Sequence, residues 1–134
     1  MIIIYETEAG ISIIHPTGEL SIEEVFKKDV PDEYKSTAKI VEDDVIPEDR
    51  TFRNTWKHEE GQIVEDIEKS KSLWKEKLRL ERKPLFDAQD TLFMKALESN
   101  ADTSLIIKEK QRLRDITKLV EVCAAIDEIK AIKI

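Results

Sequence analysis

The sequence predicts an α+β fold: a small β-rich module followed by a helical hairpin with a kinked long helix. Three observations predict it. All three glycines (Gly10, Gly18, Gly61) and three of the four prolines (Pro16, Pro31, Pro47) precede residue 66, so the first half is cut into short elements. Runs of β-branched and aromatic residues at Ile2–Tyr5 and Ile11–His15 have the composition of strands. From Asp66 onward the apolar residues recur with a helical period, interrupted by Pro84. The expected modules are residues 1–65 and 66–134.

Taken in order, 2–7 and 11–15 form a hairpin candidate across the short turn Glu8-Ala9-Gly10. Ser21-Ile-Glu-Glu24 is a capping box, in which serine and glutamate each satisfy the other's orphan backbone N–H. It predicts a two-turn helix over 22–28 that buries Ile22, Val25 and Phe26. Residues 38–42 read as a third strand, and 44–49 as a turn around Pro47. In Arg50-Thr-Phe-Arg-Asn-Thr-Trp56, alternation places Phe52, Asn54 and Trp56 on one face, which predicts a strand. Residues 62–64 pair with it across Glu59-Glu60-Gly61. A module of about 60 residues is near the lower limit for an independent core.

Asp66 is an N-cap candidate for the long helix. Ile67, Trp74, Leu78, Leu85, Ala88, Leu92 and Ala96 form one near-heptad stripe, with Leu73, Leu80, Phe93 and Leu97 as a second beside it. An apolar face this wide suits a helix packed against more than one neighbour. Proline inside a helix removes a hydrogen bond at a cost of about 3 kcal/mol or more, so a kink or break is expected near Lys83. Residues 100–103 make a turn with a second N-cap. A helix over 105–116 then buries Ile106, Leu113 and Ile116, and short helical pieces follow at 120–125 and 127–132.

The composition excludes several functions. The 134 residues hold 22 Lys+Arg against 29 Asp+Glu, a net charge of -7, which argues against general nucleic-acid binding. A single cysteine makes no internal disulfide. No apolar run approaches the ~20 residues needed to span a bilayer, and no signal peptide is expected. The basic segment Lys69–Lys83 is interleaved with Glu76 and Glu81 and reads as a solvated helix face.

No phosphate loop, nucleophile elbow, metalloprotease helix or paired-cysteine motif occurs, so no catalytic residue, metal ligand or cofactor is expected. His15 and His58 lack ligand-spaced partners and read as strand-end or surface residues. Cys123 lies in an apolar stretch and reads as core. The acids at 42–44, 48 and 49 lack the alternating spacing and glycine of a calcium loop and read as a solvated turn.

Arg50–Trp56 carries two readings. Arginine beside tryptophan or phenylalanine stacks on planar ligands, binds anions and anchors protein interfaces. The blander reading, which a module this small favours, is that Phe52 and Trp56 are core and the arginines pair with nearby acids. On the first reading the contact residues are Arg50, Phe52, Arg53 and Trp56, with Trp74 and Phe93 on the long helix.

The segments together resemble a family of small phage and prophage proteins. The resemblance rests on the Ile-rich hairpin, I-E-E-V at 22–25 followed by D-V-P at 29–31, and I-V-x-D-x-x-I-P-x-D-R-T-F-R-N-x-W from Ile40 to Trp56. Further along it includes L-R-x-E-R-x-P-L from Leu78 to Leu85 and Lys110-Gln-Arg-Leu-Arg-Asp115. D-R-T-F-R-N-x-W is its most specific part. Such proteins are similar to those encoded among tail genes, and the helical half looks like the C-terminal part of tail-fibre assembly proteins. The resemblance implies a non-enzymatic, chaperone-like tail or tail-fibre assembly protein. Its partner would be a phage structural protein, with a homo-oligomer as a further expectation. It would reside in the bacterial host cytoplasm or on the virion. The competing reading is a phage-encoded protein that sequesters a host signalling nucleotide in an oligomeric pocket.

Overall fold

Three consecutive isoleucines cannot all face one side of a strand, because successive side chains alternate. The run therefore demands a sheet covered on both faces, and the computed structural model, which describes residues 1–134, shows one. It is a mixed α+β chain that divides into two units, Met1–Asp66 and Ile67–Ile134.

In the first unit, β1 (Ile2–Thr7) is the centre of a three-stranded antiparallel sheet between β2 (Gly10–Ile14) and β3 (Lys39–Val41). Ile3 lies opposite Ile14 on one side and Ile40 on the other. Ile2 and Ile4 point to one face, where they pack with Ile11, Trp56 and Ile63. Ile3 points to the opposite face, against Val25 and Val30. The first face is covered by a second antiparallel pair, β4 (Trp56–Glu59) and β5 (Gln62–Glu65), and the other by helix α1 (Ile22–Asp29).

The capping box at α1 forms as its sequence requires. Ser21 Oγ accepts from the Glu24 N–H at 3.3 Å, and Glu24 Oε2 accepts from the Ser21 N–H at 2.9 Å. These bonds, the backbone one first, hold the Glu24 carboxyl below its ordinary pKa.

The 50–56 segment departs from the expected strand. Residues 53–55 form a short 3-10 turn, and only Trp56 begins strand β4. Asp49 starts the deviation: its Oδ1 accepts from the Thr51 N–H at 2.9 Å and from the Thr51 hydroxyl at 2.6 Å, an Asx turn that competes with extended backbone. The Thr55 hydroxyl then donates to Phe52 O at 2.8 Å.

The second unit is built on α2 (Ile67–Glu98), a single 32-residue helix that runs through Pro84 without a break. Proline deprives the Leu80 carbonyl of its N–H partner. Pro84 and Leu80 are both exposed, so the forfeited bond lies on the solvent side of the helix, and packing on the other side keeps the chain helical. The helix ends at Asn100, whose φ of 55° is left-handed; Ala101 N donates to Ala96 O at 2.8 Å and Asn100 N to Leu97 O at 3.3 Å, a Schellman cap.

The chain returns as α3 (Ser104–Glu121), which is longer than the expected 105–116 because the apolar period continues to the fully buried Val120. Its N-terminal N–H is satisfied by Asp102, whose Oδ1 accepts from Ser104 N at 3.0 Å, while the Thr103 side chain makes no capping bond. A turn leads into α4 (Ile126–Ala131), so 120–125 is no separate helical piece. The wide apolar face is also narrower than expected. Trp74, Leu78 and Ala96 are buried, whereas Leu80, Leu85, Ala88, Leu92 and Leu97 are exposed. Within the second unit, α2 packs against α3 and, more locally, against α4, while the flank that carries Leu85, Ala88 and Leu92 stays exposed.

Candidate functional site

The turn from Asp49 to Trp56 separates its side chains by type. Phe52 and Trp56 are buried in the first unit, while Arg50 and Arg53 are exposed. The turn is held in place from below by Gly10, at φ 114°, where an added Cβ would lie 3.1 Å from Asn54 O and 3.3 Å from Arg53 O. Thr55 O also accepts from the Asp66 N–H at 2.8 Å. Two guanidinium groups are thus carried on a backbone fixed by its own hydrogen bonds. Neither arginine has an acid within ion-pair distance, contrary to the expectation that nearby carboxylates would neutralise them.

Trp74 is also interior. It is 5% exposed, and its indole Nε1 donates to Ile132 O at 2.8 Å, which ties the segment after α4 to the long helix. Lys77 covers its ring at 4.1 Å. Phe93 is half-buried beneath Lys110, whose ammonium stands 5.3 Å from the ring centroid and 2.6 Å from Asp90. Of the six expected contact residues, Arg50 and Arg53 are the two that the fold leaves exposed, both on the turn from Asp49 to Trp56. Phe52, Trp56 and Trp74 are core.

The sequence did not single out a cavity of about 750 Å³ in the first unit. Tyr5 and Tyr34 line it, stacked with ring centroids 5.1 Å apart, along with Lys39, His58 and the acids Glu6, Glu33 and Glu60. Glu6 accepts from the His58 N–H, and the His58 Nε2 is buried without a partner, as is Trp56 Nε1. These residues come from four separate stretches of chain, so no local spacing announces them.

The basic segment of α2 is engaged within its own unit. Lys71 donates to Glu121 O at 3.1 Å, Lys75 pairs with Glu121 at 3.0 Å, and Arg79 pairs with Glu76. The Lys75 hydrogen bond and charge hold the Glu121 carboxyl below its ordinary pKa. Arg82 donates to Leu113 O at 2.9 Å and lies over Phe86. Cys123 is buried, with its thiol donating to Leu119 O at 3.2 Å. No three His, Cys, Asp or Glu side chains gather into a metal-binding group. No helix is long and apolar enough to cross a membrane.

No family model, curated protein or solved structure matches this chain.

Proposed function

We propose that this chain is a non-enzymatic phage tail-associated or tail-fibre assembly protein that acts through protein–protein contacts. The observation that carries the reading is the pair Arg50 and Arg53, unneutralised on a rigid turn inside the D-R-T-F-R-N-x-W element. Arginine is enriched among the residues that dominate interface energies, and a pre-ordered turn loses little entropy on binding. Exposed Leu80, Met94, Leu97 and Ile107 on the hairpin add apolar surface of the kind that marks interaction sites. The working locations are the bacterial host cytoplasm and the virion.

The competing nucleotide-sequestering reading has less support. Phe52 and Trp56, which would stack on a base, are interior. The cavity beside Tyr5 and Tyr34 sets Glu6, Glu33 and Glu60 against Lys39, an unfavourable balance for a phosphate.

Co-expression with the tail and tail-fibre proteins encoded beside its gene tests the proposal. A stable complex is expected with one of them, weakened roughly tenfold or more by Arg50→Ala combined with Arg53→Ala. Failure to form a complex with any of them, together with a reproducible rise in Tm on adding one nucleotide, would overturn it.

A further inference from the structure

The exposed flank of α2 is not a random scatter of apolar residues. Glu81, Leu85, Ala88, Leu92 and Lys95 recur at intervals of 4, 3, 4 and 3. At 100° per residue they occupy one stripe about 80° wide. All five are exposed, Leu85 by 39% and Leu92 by 48%. The line that contacts α3 runs beside this stripe through Arg82, Phe86 and Phe93. The stripe therefore belongs to neither the hairpin core nor the polar back of the helix.

Its order is self-complementary. Reversed about Ala88, Glu81 falls opposite Lys95, and Leu85, three residues before the centre, falls within one residue, about 1.5 Å, of Leu92, four residues after it. Two copies of α2 laid antiparallel would bring four leucines together, place the small alanines at the two-fold axis where backbones approach closely, and close each end with an opposite-charge pair. A parallel pair would set Glu81 against Glu81 and Lys95 against Lys95. Lys95 has no ion-pair partner within the chain, and Glu81 has only a 3.9 Å contact with Lys77.

A second observation fixes the same axis. On α3, Leu105 and Leu119 are 79% and 52% exposed and lie seven residues either side of Arg112. Arg82 bonds to Leu113 O, and Arg114 lies over Phe86, so the heights of 82–86 on α2 match those of 113–114 on α3. Continuing upward, Ala88 stands near the height of Arg112. In an antiparallel hairpin, residues that precede the contact line on both helices fall on the same side. The two symmetric stripes therefore share one face and one centre. That face measures about 30 Å by 20 Å from helix dimensions, or roughly 600 Å² before side-chain relief. This approaches the ~800 Å² per partner that a stable interface buries.

We infer that the occupant of this face is a second copy of the chain, docked antiparallel about a two-fold axis at Ala88, so that two hairpins complete a four-helix bundle. An isologous contact of this kind closes on itself and does not propagate into a filament. The inference is independent of the partner proposed above.

Sedimentation of the full chain over a concentration series tests it. The expected species has twice the 15.5 kDa chain mass. Leu85→Arg should raise the dimer Kd by about 30-fold or more. Glu81→Lys and Lys95→Glu should each raise it on the order of fivefold, and the two together should restore it, because the exchanged charges again face opposite partners. In a Cys123→Ser background, Ala88→Cys should form an interchain disulfide under mild oxidation, with circular dichroism confirming that each variant is folded. A monomer at every concentration overturns the inference. So does a dimer in which the double charge exchange is no better than either single change, or in which position 88 fails to cross-link.

Discussion

The two units solve the burial problem differently. The first unit wraps β1 on both sides, and Ile2, Ile3 and Ile4 are each exposed by 1% or less. The second is a hairpin whose core is one side chain deep, and it leaves Leu80, Leu92, Leu97, Leu105 and Leu119 each about half or more in water. A strand at the centre of a layered module meets neighbours in every direction. Two helices side by side cover only one flank of each other, so an apolar face wider than that flank remains open. The first unit is thus close to self-sufficient, and the second has apolar surface for a partner.

Substitutions that should be costly in one unit and cheap in the other would break or sharpen this contrast. The largest effect is expected from Ile3→Ala, which empties a fully buried site touched by Val25 and Val30; a loss of about 2–5 kcal/mol is expected in urea unfolding. Leu80→Gln, at a leucine that is 73% exposed, should stay within about 0.5 kcal/mol by the same measurement. A large loss there would mean that the hairpin is closed over Leu80 in solution. An intermediate effect of about 1 kcal/mol is expected for Ser21→Ala, which removes one half of the capping box of α1.

The smallest effect is expected from acid. Hydrogen bonds lower the carboxyl pKa of Asp102 (from Ser104), of Glu109 (from Arg112) and of Asp115 (from Gln111, then Lys118). A carboxyl that is lowered in the folded state adds stability that is present above the ordinary carboxylate range and is lost as pH falls through the lowered values. Melting temperature should therefore decline modestly on acidification below that range and stay flat through neutrality with respect to these groups. All of them are on the surface, so added salt should shrink the contributions of Glu109 and Asp115 that come from cationic partners.

Much of this architecture was legible because it rests on local rules. The Ile-rich hairpin, the Ser21–Glu24 capping box and the helical period after Asp66 each follow from residues a few positions apart. One local rule misled. Alternation in 50–56 suggested a strand, but the Asp49 side chain offered the backbone a competing turn. Pro84 allowed either a kink or a break, and the helix is not broken there, because it is held by packing on its other side. The candidate site was half legible. D-R-T-F-R-N-x-W drew attention to itself by composition, yet burial of Phe52 and Trp56 against exposure of Arg50 and Arg53 depends on strands distant in sequence.

By itself, then, the sequence determined most of the element types, the capping box of α1 and the order of strand-rich and helix-rich halves, since capping, β-branching and apolar period act over one or two turns of chain. Only the tertiary structure decided which apolar stripe of α2 is covered. Leu78 and Leu85 are seven residues apart and nearly in line on the helix, but one is buried and the other exposed. The period that places them is identical. The difference lies in where α3 and α4 pack, which is a property of the whole hairpin and not of either leucine.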